Sequence, residues 1–372
     1  MRLVCFSDLH LSNDSVHGDF DERGENEYLK IRRDVALHMI KQAAKVDGIL
    51  IIGDTIDARV VDAHTLSATS KIISKIDKLP FAIMVSGNHE LDLRVEGGVT
   101  VIDHYKHLRS NKDFHIASRE TIVRKGDVEF FVLPHIPDLE RTFEDRVKRY
   151  LNKSAAVKRV MLLHYGIVGA SLGAIKSSTG ISDEHVKSFA SDFDFIVCGD
   201  YHKSQFIGGC DNVFYCGSPL QQDFGERDDE HGFWTIDTRK GTTKFTEITS
   251  ELAPKFIEVT CPEPSSVKAY VKKLLKQDID GNNVRFVVCA SKTDAVDKAA
   301  ITERISCVSK PRRLYVSVSN VAEKRVDIAG RLASPTDFLH KAVSDYVEAR
   351  AQSKSKKHRK KLKQVGIDYL SL

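Results

Sequence analysis

The sequence contains no run of apolar residues approaching the roughly 18 that a helix needs to cross a bilayer. Its first apolar stretch, residues 2–6, ends at Ser7 and Asp8, which makes it too short for the hydrophobic region of a secretory signal. With neither a leader nor a membrane segment indicated, we expect a cytoplasmic protein that does not associate with membranes.

Cysteine is scarce and scattered. The seven cysteines form no C-x-x-C pair and lie at positions 5, 198, 210, 216, 261, 289 and 307. An odd number of thiols without close spacing argues against a disulfide framework and against a zinc cluster. We expect the thiols to be reduced and mostly buried.

Excess charge of either sign is also lacking, since 56 Lys and Arg residues stand against 52 acidic ones. The net charge of +4 excludes a histone-like polycation and an acidic disordered chain. Residues 351–372 hold seven basic residues and one acid, so residues 1–350 have a net charge of −2. The length of 372 residues, 41% of them hydrophobic, predicts either one large domain and a smaller one or two domains of medium size.

Residues 1–250 alternate short β-branched or aromatic runs with longer segments of helical period, which predicts a layered α/β domain. Nine strands are predicted, at residues 2–6, 48–52, 81–85, 128–133, 159–163, 193–197, 213–216, 233–236 and 244–248. A four-residue apolar period predicts an amphipathic helix from Tyr28 to Val46, and a second helix is predicted around residues 66–76.

A proline-containing break at residues 251–255 precedes a predicted small βαβαβ domain over residues 255–320. Its strands are predicted at 256–260, 284–289 and 314–318, and its helices at 266–276 and 297–308. Ser334 and Pro335 then mark the start of a helix whose apolar stripe runs from Phe338 to Val347. We interpret residues 334–372 as a partner-binding helix with a basic tail.

Five short polar motifs directly follow predicted strands. They are Asp8-Leu9-His10, Gly53 to Asp57, Gly87-Asn88-His89-Glu90, His164, and Gly199-Asp200-Tyr201-His202. Any one of them could be an ordinary turn, and Asp62-Ala63-His64 repeats the first pattern inside a predicted helix. Together they are less easily explained as turns, because the carboxyl ends of strands in such sheets converge on the ligand crevice.

These motifs supply the side chains that a pair of divalent ions requires. Two ions roughly 3.5 to 4 Å apart need a shared carboxylate, flanking His and carboxylate ligands, and open positions for water and a phosphate. The glycines before Asp54, Asn88 and Asp200 allow sharp turns that direct these side chains into the crevice. The sequence therefore predicts a two-metal phosphoesterase site.

In order and spacing, the motifs D-x-H, G-D-x-x-D, G-N-H-E, a lone His and G-x-x-H resemble the calcineurin-like metallophosphoesterases. Residues 53–57 and 215–220, with Phe224-Gly225-Glu226 and Gly232-Phe233-Trp234, resemble the SbcD-type DNA repair nucleases, including bacteriophage recombination nuclease subunits. This resemblance implies a β-sandwich flanked by helices. By architecture alone, it implies that the βαβαβ unit is a DNA-binding capping domain.

The resemblance also implies roles for individual residues. One metal would be held by Asp8, His10, Asp54 and His202, and the other by Asp54, Asn88, His164 and Asp200, so that Asp54 bridges the two. His89 matches the family's catalytic histidine. Asp200 departs from the pattern, because it stands where the family has a histidine; its carboxylate suits Mn²⁺, the expected metal, or Mg²⁺.

The implied function is a Mn²⁺-dependent DNA exonuclease and endonuclease, a homodimer acting in recombination and repair with an SbcC-type coiled-coil ATPase. Two alternatives stay open, a phosphoesterase acting on a small or protein substrate and a scaffold that binds DNA ends without cutting. Asp57 is a candidate to orient His89 or the DNA, or else to cap a helix. His135 could face the cleft or be structural, and the basic segment 354–363 could bind phosphates or be a solvated helix end.

Overall fold

The computed structural model describes residues 1–57, 61–92, 99–172, 175–291 and 294–320. Six α-helices lie within them: α1 Glu27–Ala43, α2 Ala63–Ile76, α3 Leu139–Leu151, α4 Asp183–Ser188, α5 Val267–Leu274 and α6 Lys298–Ser306. Their strands are β1 Arg2–Phe6, β2 Gly48–Ile52, β3 Ala82–Val85, β4 Leu91–Asp92, β5 Val99–Thr100, β6 Phe114–Ala117, β7 Thr121–Lys125, β8 Val128–Leu133, β9 Lys158–His164, β10 Ser171–Leu172, β11 Ile175–Lys176, β12 Phe195–Gly199, β13 Gln205–Phe206, β14 Val213–Tyr215, β15 Gly232–Asp237, β16 Thr242–Glu247, β17 Phe256–Cys261, β18 Asn283–Ala290 and β19 Arg313–Asn320.

Two six-stranded mixed sheets form the first part of the chain. The first sheet has the order β16-β15-β1-β2-β3-β6, with β1, β2, β3 and β6 parallel and β15 and β16 antiparallel to their neighbours. The second has the order β13-β14-β12-β9-β8-β7, with its four central strands parallel. The parallel strands of each sheet therefore end at one edge.

The two sheets pack face to face over an apolar core that includes Leu50, Ile52, Phe130, Leu162 and Val197. Helices α1 and α2 cover the outer face of the first sheet, and α3 and α4 cover that of the second. Central strands such as β2 are buried throughout, as expected for strands covered on both faces. The predicted layered α/β sandwich flanked by helices is confirmed.

Helix α1 shows how local sequence sets the scaffold. The side chain of Asn26 accepts a hydrogen bond from the Tyr28 backbone N–H and caps the helix, while one face of the helix is buried. The helix ends at Ala43, before the predicted Val46, because the chain turns there: the Val46 N–H bonds to the Ala43 carbonyl.

All nine strands predicted for residues 1–250 are present, with ends shifted by two residues or fewer. The short strands β4 to β7, β10, β11 and β13 and the helices α3 and α4 were not predicted. Helix α3 has 13 residues, of which four are buried: Leu139, Phe143, Val147 and Tyr150. Most of the other nine are charged. Its apolar stripe is therefore narrow, and the four-residue period is easily overlooked in so polar a segment.

Beyond residue 255 the predicted βαβαβ order is present as β17, α5, β18, α6 and β19, and the three strands form one sheet in that order. The chain divides into two compact units, the first comprising Met1–Glu258, Gln277–Arg285 and Val308–Tyr315. The predicted domain boundaries at 250 and 255 stay predictions, and residues 334–372 lie outside the described part. No helix in the described ranges is long and apolar enough to cross a membrane.

Candidate metal centre

The predicted ligands lie where parallel strands of both sheets end. Asp8, Asp54 and Asn88 follow β1, β2 and β3 of the first sheet, while His164 ends β9 and Asp200 follows β12 of the second. Because the two sheets pack face to face, the site lies at their shared carboxyl edge.

The backbone is strained at this edge. Among the described residues only five non-glycine residues have positive φ, and four of these are predicted ligands: Asp8 at 55°, His10 at 51°, Asp54 at 48° and Asp200 at 103°. Such conformations cost free energy and persist where the surrounding structure imposes them, which is common at functional sites. The strain marks the ligand turns independently of their side-chain chemistry.

Two glycines leave the space that the ligands occupy. A Cβ atom added at Gly53 would overlap the His164 imidazole, and one added at Gly87 would overlap the Asp54 carboxylate and backbone. These glycines therefore allow side chains from both sheets to approach one another closely.

The ligands predicted for one ion converge on one side of the site. The Nε2 atoms of His10 and His202 lie 3.1 Å apart. Ligand atoms of Asp8, His10 and His202 all lie within 4.8 Å of one another, and those of His10, Asp54 and His89 form a second such group.

The ligands predicted for the other ion surround His164. Its Nε2 lies 3.1 Å from Asn88 Oδ1, 3.4 Å from Asp54 Oδ2 and 3.9 Å from Asp200 Oδ1. Asp54 belongs to both halves of the site, which is the position that a bridging carboxylate requires.

The histidine ring orientations fit a metal site. His164 Nδ1 lies 2.6 Å from the Ile52 carbonyl oxygen, His202 Nδ1 lies 2.6 Å from Glu226 Oε1, and His10 Nδ1 lies 3.4 Å from Asp57 Oδ1. When Nδ1 donates to such an acceptor, Nε2 is left as the coordinating atom. All three rings therefore turn Nε2 into the site, where His164 Nε2 faces Asp54 and the Nε2 atoms of His10 and His202 face each other.

The electrostatics also favour cations. Burial alone would lower the pKa of His164, but the charges of Asp54, Asp8 and Asp200 outweigh burial and raise that pKa to about 10. For His202, burial is likewise outweighed by the Glu226 carboxylate, which raises the pKa to about 9. Burial raises the pKa of Asp200 to about 6, and the charge of Asp8 adds to that rise. These pKa shifts show that the carboxylates favour positive charge at this position, which is the charge that two divalent ions would supply.

His89 lies at the open side of this set. Its side chain is 45% exposed, its Nδ1 lies 2.5 Å from Asp57 Oδ1, and its Nε2 lies 4.0 Å from Asp54 Oδ2. The hydrogen bond with Asp57 raises the pKa of His89. Asp57 contacts two histidines and does not cap α2, because Asp62 accepts the N–H bonds at the start of that helix.

Two functional carboxyl groups were missed by the sequence analysis. Glu226 holds His202 through Nδ1 and accepts the backbone N–H of Gln222 at 2.8 Å. Glu90 is fully buried and accepts three backbone N–H bonds, from Gly87, Thr55 and Ile56, so it ties the loops after β2 and β3 together. Glu226 is the last residue of the F-G-E motif and Glu90 is the last residue of the G-N-H-E motif. These positions were the sequence signal that could have identified them.

Arg32 was also missed. It is only 7% exposed, and it bonds through Nη2 to Gln222 Oε1 at 2.5 Å, while Gln222 Nε2 donates to the Asp8 carbonyl. Its Nε is buried without a partner, and the described residues provide no carboxylate within 4.0 Å. A buried guanidinium without an ion pair is unusual and leaves positive charge beside the site.

His135 is partly buried and lies near enough to the metal centre for the charges of His164 and Asp54 to act on it. Its ring stacks on Tyr165 with centroids 5.3 Å apart, and its Nδ1 is buried without a hydrogen-bond partner. Burial lowers the pKa of His135 to about 4, and His164 contributes to that shift. His135 is therefore neutral at pH 7.

Comparison with known proteins gives three kinds of similarity. The family model of calcineurin-like phosphoesterases matches residues 1–204. The chain is 25% identical over 184 residues to a protein of Invertebrate iridescent virus 3 described as a phosphoesterase, covering 49% of this chain and 50% of that protein. It is 21% identical over 243 residues to an uncharacterised protein of Acanthamoeba polyphaga mimivirus, covering 62% of this chain and 17% of that protein.

Among solved structures, a 5'-nucleotidase precursor from Thermus thermophilus is similar with a TM-score of 0.39 and 16% identity, covering 76% of this chain and 61% of that one. Of the two viral relatives, the chain spans 50% of the length of the iridescent virus protein and 17% of the length of the mimivirus protein.

Glu226→Gln should weaken Mn²⁺ binding by about 10- to 100-fold, because the amide is a poorer acceptor for His202 Nδ1 than the carboxylate. Isothermal titration calorimetry with Mn²⁺ measures this. Glu144→Gln, on the exposed face of α3, is the matched control and should bind like wild type. Equal affinity of the two variants would remove Glu226 from the metal centre.

Arg32→Met should leave the free energy of unfolding unchanged or raise it by about 1 kcal/mol, because the substitution removes a buried charge that has no ion-pair partner. It should nevertheless lower kcat/KM for phosphoester hydrolysis at least ~10-fold, equivalent to about 1.4 kcal/mol of lost transition-state stabilisation. The neighbouring Arg33→Met, which removes an ion pair with Glu25, should leave kcat/KM unchanged. A destabilised Arg32→Met with normal kcat/KM would make Arg32 purely structural.

Proposed function

Because the chain belongs to the calcineurin-like phosphoesterase family, we propose that it is a metal-dependent hydrolase of DNA phosphodiester bonds. It would act as exonuclease on double-stranded ends and as endonuclease on single strands. The family match ends at residue 204, so DNA as the substrate has to be argued from other residues.

The supporting observation is the position of the segment that resembles the DNA repair nucleases. This segment, residues 215–226, lies beyond the family match and is joined to the ligand turns. Glu226 bonds to His202, Gln222 Nε2 donates to the Asp8 carbonyl, and the Ser218 backbone N–H donates to the His202 carbonyl. The part of the sequence most typical of DNA nucleases is therefore part of the site itself.

The two ions, which we propose to be Mn²⁺ with Mg²⁺ as the alternative, would be held by two sets of residues that share Asp54. These are Asp8, His10, Asp54 and His202, and Asp54, Asn88, His164 and Asp200. When bound, such ions supply Lewis acidity towards phosphate oxygens and water. The chain's own contribution is to hold these ligand atoms close together despite the repulsion between their carboxylates.

His89 is placed to act on the substrate. Its Nδ1 is engaged by Asp57, which leaves Nε2 as the group that can face a bound phosphodiester. We propose that Nε2–H donates a proton to the leaving 3′-oxygen, or a hydrogen bond to the phosphate, as the P–O bond breaks. Asp57 acts as a positioning residue that fixes the ring and its tautomer.

We further propose that the protein works as a homodimer with an SbcC-type coiled-coil ATPase. The support is the predicted apolar stripe from Phe338 to Val347, which has the spacing of a helix that lies in an apolar groove of a partner. The basic residues that follow would lie near the DNA of such a complex.

His89→Gln should lower the rate of Mn²⁺-dependent cleavage of a linear duplex by about 10²- to 10⁴-fold, because the proton donor is lost, and should keep Mn²⁺ affinity. Gel assays of cleavage and calorimetry of Mn²⁺ binding measure the two effects. His64→Gln, in the second D-x-H motif on α2, is the matched control and should cut normally. Wild-type cleavage by His89→Gln would refute its role, and wild-type protein that hydrolyses bis(p-nitrophenyl) phosphate but no DNA would refute the nuclease assignment.

Replacing Leu339 and Val343 together with Asp should prevent co-purification with a tagged SbcC-type ATPase, since two charges would interrupt the apolar stripe. DNA cleavage by the isolated protein should persist. Replacing Lys341 and Ser344 with Asp adds the same two carboxylates off the stripe and should leave co-purification intact. Equal recovery of both variants would contradict the partner assignment.

A further inference from the structure

A groove that the proposed function does not use lies on the outer face of the first sheet, beside α1. Alternate residues of three strands form its floor, and the C-terminal half of α1 forms one side. We call it the back groove. It is lined by Arg2 and Val4 of β1; His38, Gln42, Lys45 and Val46 of α1 and the following turn; Phe233, Thr235 and Asp237 of β15; and Arg239, Lys240, Thr242, Thr243, Lys244 and Thr246 around and along β16.

The back groove is strongly basic. Its lining contains five Lys or Arg side chains, all exposed, and one carboxylate, Asp237. Residues 1–350 as a whole have a net charge of −2. Positive charge is therefore concentrated in the back groove, although residues 1–350 together are slightly acidic. Such a concentration is typical of surfaces that bind polyanions.

Most of this charge is uncompensated. Arg239 lies 3.7 Å from Asp237, but the described residues give Arg2, Lys45, Lys240 and Lys244 no ion pair. The one other carboxylate beside Arg2 is Asp47, which accepts its backbone N–H. The cations are thus available to an anionic ligand.

The chemistry of the floor favours a phosphate backbone over bases. Threonine hydroxyls from β15 and β16 can donate hydrogen bonds to phosphate oxygens. The lining contains no tyrosine or tryptophan, and its one phenylalanine, Phe233, is only 4% exposed and offers no surface for stacking. A ligand held this way would be recognised by its charge and without regard to its sequence.

We propose that the back groove binds the phosphate backbone of DNA, as a second contact for the DNA that the metal centre cuts. This rests on the proposed function. The chain's own basic segment, residues 351–372, does not have the charge of a suitable ligand, because its seven basic residues would be repelled by the groove. Arg2 begins β1 and Asp8 follows the end of that strand at Phe6, so the two are separated by about the length of β1, ~13 Å at about 3.3 Å per residue. A duplex in contact with both must therefore span at least ~4 base pairs at about 3.4 Å each.

The test compares two doubly charge-reversed variants of the full chain. Lys240→Glu with Lys244→Glu alters the groove, while Lys112→Glu with Lys153→Glu alters exposed lysines elsewhere and makes the same change in net charge. We expect the groove variant alone to bind a 40-base-pair duplex ~10-fold or more weaker at physiological salt. We also expect its plot of log K against log salt to be shallower by about 2, the value for two lost phosphate contacts. Hydrolysis of bis(p-nitrophenyl) phosphate should be unchanged in both variants.

Equal losses of DNA affinity in both variants would overturn the proposal, because only net charge would then matter. Competition by polyglutamate as effective as that by DNA of equal charge would overturn it in favour of an acidic protein partner. Wild-type protein that binds DNA through the groove but does not cut it would instead refute the proposed nuclease function and leave the groove assignment standing.

Discussion

The structure depends on the close approach of like charges. Asp8 and Asp54 are 0% and 2% exposed, yet they share one edge of the sandwich with Asp200 and with three histidines. Carboxylates that are buried together repel one another and lose hydration, so they need positive charge between them. Neighbouring carboxylates raise the pKa values of His164 and His202, which means that both rings are stabilised in their positively charged form.

The scaffold meets this constraint with its backbone as much as with its side chains. The Asp200 N–H donates to Asp8 Oδ1 and the His89 N–H donates to Asp54 Oδ1, so that each donor comes from another ligand loop. Glycine at position 53 and positive φ at four ligand positions let the loops come close enough for these bonds. The free energy that this arrangement costs is supplied by the core between the sheets and by the helices outside them.

Features that depend on neighbouring residues in the chain, such as the strands and the turns that follow them, could be predicted from the sequence. Strand-end motifs identified side chains that the structure brings close together, because a buried β run followed by Gly and Asp specifies both the element and its terminus. Glu226 and Arg32 could not be found in this way, since their roles depend on contacts with residues 24 and 190 positions away. Helix α3 escaped notice because only a narrow stripe of it is apolar. Residues 334–372, whose predicted role is to bind a partner, lie outside what the structure describes.

Glu90 has a consequence for how the site moves. One buried carboxyl group accepts N–H bonds from Thr55, Ile56 and Gly87, so the loop that carries Asp54 and the loop that carries Asn88 are bonded to the same two oxygens. Burial, together with the charge of Asp54, raises the pKa of Glu90 to about 8. Moving the Asp54 turn away from the Asn88 turn breaks the bonds of Glu90 with Thr55 and Ile56, so these two turns are expected to open together as one unit of local unfolding. Glu90 thus couples two of the turns that carry predicted ligands, although it is not a predicted ligand itself.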